Sequence, residues 1–293
     1  MKISMYTEFY KALAMHGIAE AARLASESRF DSVEMLDIRG MGAVPNVNAA
    51  KEAKRLLEDK GLSVSCYSLA IDLLPFDKYG NIVGDCEDAV EKAKRSAEIA
   101  SEMGAPYFHH TLVTNLRPDL HRPKPPYDAV FDTLVDAASE IAKECNDMGL
   151  AALYEPQGFY VNGSENFGRF YNEMKKRGHN VGVCGDMANT LFVDEPPIEF
   201  YRNFASEFRH VHLKDYEYLG RTVVPDRKCL LSLEGKVYSE TELGEGSVSF
   251  FECMKLLKNA GYSGAFSLEI NQKGENIVEE SRRIIKKIQD NYK

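Results

Sequence analysis

The chain has 293 residues, of which 44% are hydrophobic and 28% are charged, and its formal net charge is −9 at pH 7. This composition is typical of a folded globular protein with a full core, and the length fits one large domain or two small ones. The acidic balance argues against nonspecific binding to nucleic acid, and no apolar run approaches the roughly 18 residues of a membrane-spanning helix.

Eight short β-rich runs alternate with amphipathic helical stretches. The predicted strands are 2–7, 32–38, 63–70, 107–112, 151–157, 181–186, 210–215 and 265–271, and helical stretches between them include 48–60, 87–103, 129–148 and 248–259. Regular alternation without a Pro/Ser-rich linker predicts a single (β/α)₈ TIM barrel over 1–293. A doubly wound open sheet is the alternative, but no Gly-rich phosphate fingerprint follows the first strand.

One connection is too long for a simple loop. The interval 216–246 separates the seventh predicted strand from the next helix and contains Arg221. Loops of this length in a compact domain are more often functional than idle. Because the interval follows a barrel strand, we expect it to overhang the mouth as a lid or as an arm between subunits, with Arg221 near the substrate.

Cysteine usage and the N-terminal sequence both bear on location. Six cysteines are scattered with no C-x-x-C pair, and the first residues enter a strand pattern without a secretory signal. Scattered thiols fit a reducing cytosol better than a disulfide framework or a zinc knuckle. We therefore expect a cytoplasmic protein.

The seventh predicted strand places nitrogen-bearing side chains on one face. In the segment 209–215 (Arg-His-Val-His-Leu-Lys-Asp), alternation directs His210, His212 and Lys214 to one side and the apolar residues to the other. On a buried face each of these side chains needs a partner away from water. A metal or a bound substrate is the expected partner, and histidines satisfied by carbonyl groups in the core are the alternative.

Polar residues lie at or near the ends of four consecutive predicted strands: Glu155, Asp186, His212 and Glu269. The C-terminal ends of barrel strands line one site, where three carboxylates would repel one another unless a cation bridged them. Three oxygen donors and one imidazole suit Mn²⁺, Mg²⁺ or Co²⁺ better than a structural zinc. The sequence predicts one divalent ion here, Mn²⁺ favoured over Mg²⁺, Co²⁺ or Zn²⁺. Separate surface or salt-bridged acids are the alternative.

These motifs resemble the xylose-isomerase-like (β/α)₈ superfamily of sugar isomerases and epimerases. The resemblance spans nearly the whole chain and includes 30–34 (Phe-Asp-Ser-Val-Glu), the strand ends at 155 and 185–186, the segment 210–215, 244–246 (Gly-Glu-Gly), 261–264 (Gly-Tyr-Ser-Gly) and 267–269 (Ser-Leu-Glu). It implies that Glu155, Asp186, His212 and Glu269 hold one metal ion.

In ketose 3-epimerases of this family, the two ligand glutamates also form the acid/base pair. The resemblance implies that Glu155 removes the proton beside a substrate carbonyl and that Glu269 returns one from the opposite face, through an enediolate. The first hypothesis is therefore a divalent-metal-dependent isomerase or epimerase of a ketose, keto-sugar or keto-polyol. The second is a lyase or dehydratase on a keto-polyol or keto-glycoside, since the same enolate can expel a leaving group.

The chain departs from the epimerase pattern at two expected substrate contacts, where it has Asn189 and Tyr218 in place of His and Arg. Asn189 and His210 are still expected near the substrate. Lys214-Asp215 is instead similar to the keto-inositol isomerase and dehydratase branches, where the lysine can meet a substrate oxygen. A structural pair between Lys214 and Asp215 is the alternative.

The fourth predicted strand carries two adjacent histidines, His109 and His110. Neighbours on a strand face opposite ways, so at most one of them enters the site. We expect His110, the one nearer the mouth, to contact substrate, with a packed histidine as the alternative.

A DNA-repair endonuclease of the same superfamily is a remote alternative. It needs several metal ions held by many histidines, and 66–69 on the third strand offers none. In a non-enzymatic sugar-binding protein, the four polar residues at the strand ends would have no catalytic role. The expected partner is thus a small sugar or keto-polyol and not a nucleic acid or a membrane, and a homo-oligomer is left open.

Overall fold

The computed structural model describes residues 1–38, 40, 42, 44–77, 79, 81–114, 125–221, 229–272 and 276–292. The middle of the interval 216–246, residues 222–228, therefore lies outside the described residues.

Eight parallel strands close into a barrel. They are β1 Lys2–Met5, β2 Ser32–Ile38, β3 Ser63–Ala70, β4 Tyr107–His110, β5 Ala151–Tyr154, β6 Val181–Asp186, β7 Phe208–Leu213 and β11 Ala265–Leu268. The last strand, β11, pairs with both β7 and β1 and so closes the ring. The predicted TIM barrel is confirmed, and the open-sheet alternative is wrong.

Helices surround the barrel. They are α1 Thr7–His16, α2 Ile18–Glu27, α3 Val47–Glu58, α4 Glu87–Glu102, α5 Tyr127–Asp147, α6 Gly163–Lys176, α7 Pro197–Phe204, α8 Phe250–Asn259, α9 Ile277–Tyr292 and a 3₁₀ helix, Asn189–Val193. In α5, for example, Leu134, Ala138 and Ile141 recur at helical spacing and are fully buried. Among the helices that the structure describes, none has the length and apolar character needed to cross a membrane.

Several predicted strands run past the observed strand ends. β5 stops at Tyr154 and β11 at Leu268, so Glu155 and Glu269 are each the first residue beyond a strand. At β5 the cause is local, because Pro156 has no N–H to donate to a sheet. Both glutamates therefore lie on the C-terminal rim of the barrel, and the backbone N–H of Glu269 still donates to Leu213 O of β7 at 3.1 Å.

The described residues of the interval 216–246 include a small antiparallel sheet, which the sequence did not predict. Its strands are β8 Asp215–Gly220, β9 Cys229–Leu231 and β10 Val237–Thr241, in the order β8-β10-β9, and we call it the arm sheet. The backbone N–H of Leu233 donates to Phe192 O at 2.9 Å, and that of Asn271 donates to a Glu240 carboxylate oxygen at 2.7 Å. Because these partners follow β6 and β11, the arm sheet lies on the C-terminal face.

Asp215 anchors the return of the arm to the barrel. Its carboxylate accepts hydrogen bonds from the backbone N–H groups of Tyr216 at 2.8 Å, Gly244 at 2.8 Å and Gly246 at 3.0 Å. A Cβ at Gly246 would lie 2.3 Å from Asp215 Oδ1, so a side chain there would collide with the anchor. This contact explains the second glycine of the Gly-Glu-Gly motif, and a φ of +83° explains the first, Gly244.

Candidate active site

Four side chains converge at the C-terminal mouth of the barrel. One ligand atom from each of Glu155, Asp186, His212 and Glu269 can be chosen so that all four lie within 4.8 Å of one another. Asp186 ends β6 and lies opposite His212 of β7 in the sheet register, while the two glutamates follow β5 and β11. The structure thus brings together the four residues that the sequence singled out, which we call the rim cluster.

Two nitrogen groups lie among the three carboxylates of the rim cluster. His212 Nδ1 is 2.8 Å from Glu155 Oε1 and 3.2 Å from Glu269 Oε2. Lys214 Nζ is 2.7 Å from Asp186 Oδ2 and 3.1 Å from Glu269 Oε2. The alternative of a Lys214–Asp215 pair is therefore wrong, because the lysine reaches the rim cluster and Asp215 binds backbone amides.

The two glutamates have pKa values displaced in opposite directions. Burial raises the pKa of Glu155 to about 7, although His212 opposes this shift. Burial would also raise the pKa of Glu269, but Lys214 and His212 outweigh it and hold the pKa at about 2. Near neutral pH, Glu155 can therefore hold a proton, whereas Glu269 is an ionised carboxylate, because the surroundings of the two groups differ.

The donor set fits a divalent cation. Carboxylate oxygens and one imidazole are ligands that hard or borderline divalent ions accept, and no thiolate belongs to the rim cluster. Burial lowers the pKa of Lys214, but Asp186 and Glu269 outweigh it and raise that pKa well above its usual value. The three carboxylates of the rim cluster therefore stabilise a nearby positive charge, and the four residues could hold one metal ion.

Glu34 is the buried residue whose role the sequence analysis missed. It is fully buried on β2, and it accepts hydrogen bonds from His210 Nε2 at 2.7 Å, His212 Nε2 at 2.9 Å and Ser68 Oγ at 2.5 Å. Burial would raise its pKa, but His212 and His210 hold the pKa well below its usual value. A glutamate inside a buried strand was the available indication, because a buried carboxylate needs polar partners.

The expectation that His110 enters the site is wrong. His110 packs edge-on against Tyr154 with ring centroids 5.4 Å apart, and the Tyr154 hydroxyl donates to Ala138 O of α5 at 3.3 Å, so both face the helices. Alternation along β4 directs His109 into the barrel instead. His109 Nδ1 lies 3.0 Å from Ser68 Oγ, and its Nε2 lies 3.7 Å from Glu155 Oε2.

His210 and Arg221 are not at the mouth either. His210 is fully buried, and its position two residues before His212 places it roughly 7 Å deeper in the barrel. Arg221 has a side chain 56% exposed and pairs with Glu234 of the arm at 2.7 Å. Within the described part of the chain, neither residue contacts the carboxylates of the rim cluster, and their substrate contacts stay predictions.

Asn189 and Tyr6 border the rim cluster. The Asn189 backbone N–H donates to Asp186 Oδ1 at 2.7 Å, and its buried Nδ2 has no hydrogen-bond partner among the described residues. Tyr6 follows β1 and stacks on His212, with ring centroids 5.0 Å apart and ring planes at 23°. Asn189 thus presents a free donor beside Asp186, and Tyr6 forms an aromatic wall.

The family model of the xylose isomerase-like TIM barrel matches residues 22–288. The chain belongs to this family. An inosose dehydratase of Geobacillus thermodenitrificans (strain NG80-2) is 23% identical over 226 residues, which cover 76% of this chain and 74% of that enzyme. An inosose dehydratase of Bacillus cereus (strain AH820) is 23% identical over 193 residues, so the match spans 64% of this chain and 64% of that relative.

Two solved structures show the same fold. A 3-keto-D-glucoside 4-epimerase from E. coli matches with a TM-score of 0.71 and 17% identity, covering 99% of each chain. A xylose isomerase-like TIM barrel protein from Mycobacterium smegmatis, in complex with magnesium, matches with a TM-score of 0.70 and 20% identity, covering 100% of this chain and 98% of that one. Together with the sequence relatives, which are enzymes, this family membership supports an enzyme that acts on sugars.

Proposed function

We propose that this chain is a divalent-metal-dependent isomerase or epimerase that moves a proton at the carbon beside the carbonyl of a keto-sugar or keto-polyol. The observation that carries the proposal is the pair Glu155 and Glu269. The two glutamates reach the same His212 nitrogen from β5 and β11, on the two sides of β7, and their pKa values are displaced in opposite directions. Such a pair is the arrangement that proton removal and return require.

A bound divalent ion would supply Lewis-acid polarisation of the substrate carbonyl. The proton transfers belong to the glutamates. The pKa order favours Glu269 as the ionised acceptor and Glu155 as the carboxyl that holds a proton near neutral pH. The family resemblance assigns proton removal to Glu155 instead. The two assignments describe the two directions of one reversible reaction, in which the acceptor of one direction is the donor of the other.

A dehydratase is the second candidate, because Lys214 favours it. Its ammonium is nine-tenths buried and lies against both Asp186 and Glu269, so it is a hydrogen-bond donor at the mouth beside the proposed base. Elimination needs such a donor where a hydroxyl leaves, whereas epimerisation needs only the two carboxyls. The sequence relatives named inosose dehydratase add support to this candidate.

The test is proton exchange in D₂O. The Mn²⁺-loaded protein is incubated with ketoses, ketose phosphates and keto-inositols, the ion is removed by a chelator, and NMR locates deuterium in the recovered compounds. We expect deuterium at the carbon beside the carbonyl for one substrate class. A new stereoisomer then identifies an epimerase, a shifted carbonyl an isomerase, and loss of water the dehydratase. Absence of exchange across the panel, with folded and metal-loaded protein, contradicts the proposal.

Glu58→Gln provides the control for this test. The Glu58 side chain is 61% exposed on α3, far along the chain from the rim cluster, and it pairs only loosely with Lys54 at 4.0 Å. The rate of deuterium exchange catalysed by Glu58→Gln should equal that of the unaltered protein. A cytoplasmic location and a homo-oligomer stay predictions that this experiment does not address.

A further inference from the structure

Below the mouth, a hydrogen-bonded network inside the barrel is centred on Glu34. One carboxylate oxygen, Oε2, lies 2.7 Å from His210 Nε2. The other, Oε1, lies 2.9 Å from His212 Nε2 and accepts from Ser68 Oγ at 2.5 Å. These four residues come from β2, β3 and β7 and are at most 1% exposed. The proton transfers proposed above do not use this network, so its role needs a separate explanation.

We propose that Glu34 is a positioning residue that holds His212 with a proton on Nε2, so that Nδ1 is the nitrogen offered to a divalent ion at the rim cluster. This inference rests on the proposed metal-dependent function and deepens it. It concerns which imidazole nitrogen binds the ion and how strongly.

The argument begins with the chemistry of a carboxylate, which accepts hydrogen bonds and has none to donate when it is ionised. Both histidine nitrogens that face Glu34 must therefore be the donors. A neutral imidazole has one N–H and one lone pair, so a proton fixed on Nε2 leaves the lone pair on Nδ1. In His212 that Nδ1 lies within 3.2 Å of both Glu155 and Glu269, in the rim cluster.

His210 has a place in the same explanation. A carboxylate bound only to His212 could rotate with it, and the second histidine, on the same strand and bonded to the other oxygen, fixes the plane of the Glu34 carboxylate. His210 Nδ1 has no hydrogen-bond partner among the described residues. Among the described residues, the hydrogen bond of His210 therefore reaches the rim cluster through Glu34, and its ring also packs edge-on against that of His212 with centroids 5.5 Å apart.

Asp37 is a matched control on the same strand. It is 2% exposed, like Glu34 it is a buried carboxylate of β2, and it accepts a hydrogen bond from Ser96 Oγ of α4 at 3.1 Å. It faces the helices, whereas Glu34 faces the barrel interior. Replacing either acid by its amide removes one buried charge from β2, but only the change at Glu34 alters the partner of His212.

The experiment measures Mn²⁺ binding to the metal-free full chain by titration calorimetry. We expect Glu34→Gln to weaken binding by about 10- to 100-fold, the usual effect of removing a carboxylate that orients a metal-bound histidine. Asp37→Asn should keep the Mn²⁺ affinity within about threefold of that of the unaltered protein. We expect this even if Asp37→Asn lowers thermal stability as much as Glu34→Gln does. Glu34→Asp, which keeps the acceptor charge, should recover part of the lost affinity.

A spectroscopic measurement separates positioning from stability. In the Mg²⁺-loaded, ¹⁵N-labelled protein, His212 should carry its proton on Nε2, and this N–H resonance should be lost or moved in Glu34→Gln and retained in Asp37→Asn. Equal Mn²⁺ affinity in the unaltered protein and Glu34→Gln overturns the inference while leaving the proposed function intact. Failure of the unaltered protein to bind any divalent ion instead overturns the proposed function. If Glu34→Gln does not fold, the ¹⁵N spectrum of the unaltered protein decides, since a His212 proton found on Nδ1 instead of Nε2 counts against the inference.

Discussion

Glu155 and Glu269 are the same amino acid in contact with the same nitrogen of His212, yet their surroundings differ. Glu155 is buried to 5% exposure, whereas the Glu269 side chain is 30% exposed and lies beside Lys214. Desolvation without an ammonium partner keeps a proton on the first carboxyl, and the ammonium removes it from the second. At the scale of single residues, the chemistry of the site depends on this asymmetry.

Replacing either glutamate by glutamine should abolish proton exchange. Glu155→Gln and Glu269→Gln each keep the size of the side chain but remove a proton acceptor, so we expect exchange rates to fall by about 10²- to 10⁴-fold, the usual contribution of a general acid or base. The D₂O assay measures this, with circular dichroism to verify folding. A variant that keeps near-normal exchange with metal bound removes that residue from the proposed role.

Lys214 should be essential for stability only while no ion is bound. Lys214→Met leaves the buried Asp186 and the partly exposed Glu269 without their ammonium, and removal of one partner from a buried ion pair typically costs about 3–5 kcal/mol. Addition of Mn²⁺ should recover most of this loss, because the ion supplies the missing positive charge. Urea denaturation with and without Mn²⁺ tests the prediction. Equal losses in both conditions would show that the lysine acts independently of the cluster.

The residues of the rim cluster could be predicted because barrel geometry fixes where strand ends point. Glu155, Asp186 and Glu269 needed only the order of the strands. The partner of each histidine could not be predicted, because Glu34 lies 176 residues before His210 in the chain. The choice between His109 and His110 failed for a related reason. Alternation says that they face opposite ways but not which one faces inward.

At the scale of elements, the barrel strands were predictable and the arm sheet was not. Parallel strands buried on both faces are short, continuous and β-rich, and each is followed by an amphipathic helix. The arm strands are only partly buried: in β8, Glu217, Tyr218 and Leu219 are exposed. Their pairing depends on β10, so the local sequence indicated a loop.

Removal of the arm should affect substrate binding more than folding. We propose that the arm sheet covers the mouth. To test this, residues 217–242 are replaced by a short Gly/Ser linker, so that Asp215 and Gly244 are kept. The barrel closes through β11 without any arm strand, so we expect Mn²⁺ binding to persist and KM to rise at least several-fold. Steady-state kinetics and light scattering test the lid and the inter-subunit arm respectively. An unchanged KM together with an unchanged molar mass counts against both.

At the scale of the whole molecule, the barrel interior beneath the mouth is polar. TIM-barrel interiors are usually filled by layers of branched apolar side chains, whereas here Glu34, Ser68, His109, His210 and His212 occupy that space. Such a core has less hydrophobic stabilisation and depends on satisfied hydrogen bonds and balanced charge. Stability should therefore respond to any cation bound at its upper end.

Mn²⁺ should raise the melting temperature of the full chain. An ion that binds only the folded state stabilises it by about 2.7 kcal/mol at a hundredfold excess over Kd, which for a domain of this size is a Tm increase of about 4 °C. The increase should shrink as the pH falls through about 7, since Glu155 then holds a proton that competes with the ion. Calorimetric scans at pH 6 and pH 8 with Mn²⁺ or with chelator measure both effects. A larger increase at pH 6 has the wrong sign for carboxylate ligands.

The two halves of the chain also contribute different residues to the candidate site. All four residues of the rim cluster follow Tyr154, whereas Glu34, Ser68 and His109 precede it. The chain after β5 therefore supplies the four residues of the rim cluster, and the chain before β5 supplies Glu34, Ser68 and His109 beneath them. We therefore expect substitutions before β5 to alter the affinity for the ion without changing a coordinating atom, so a comparison of ligand residues alone would miss their effect.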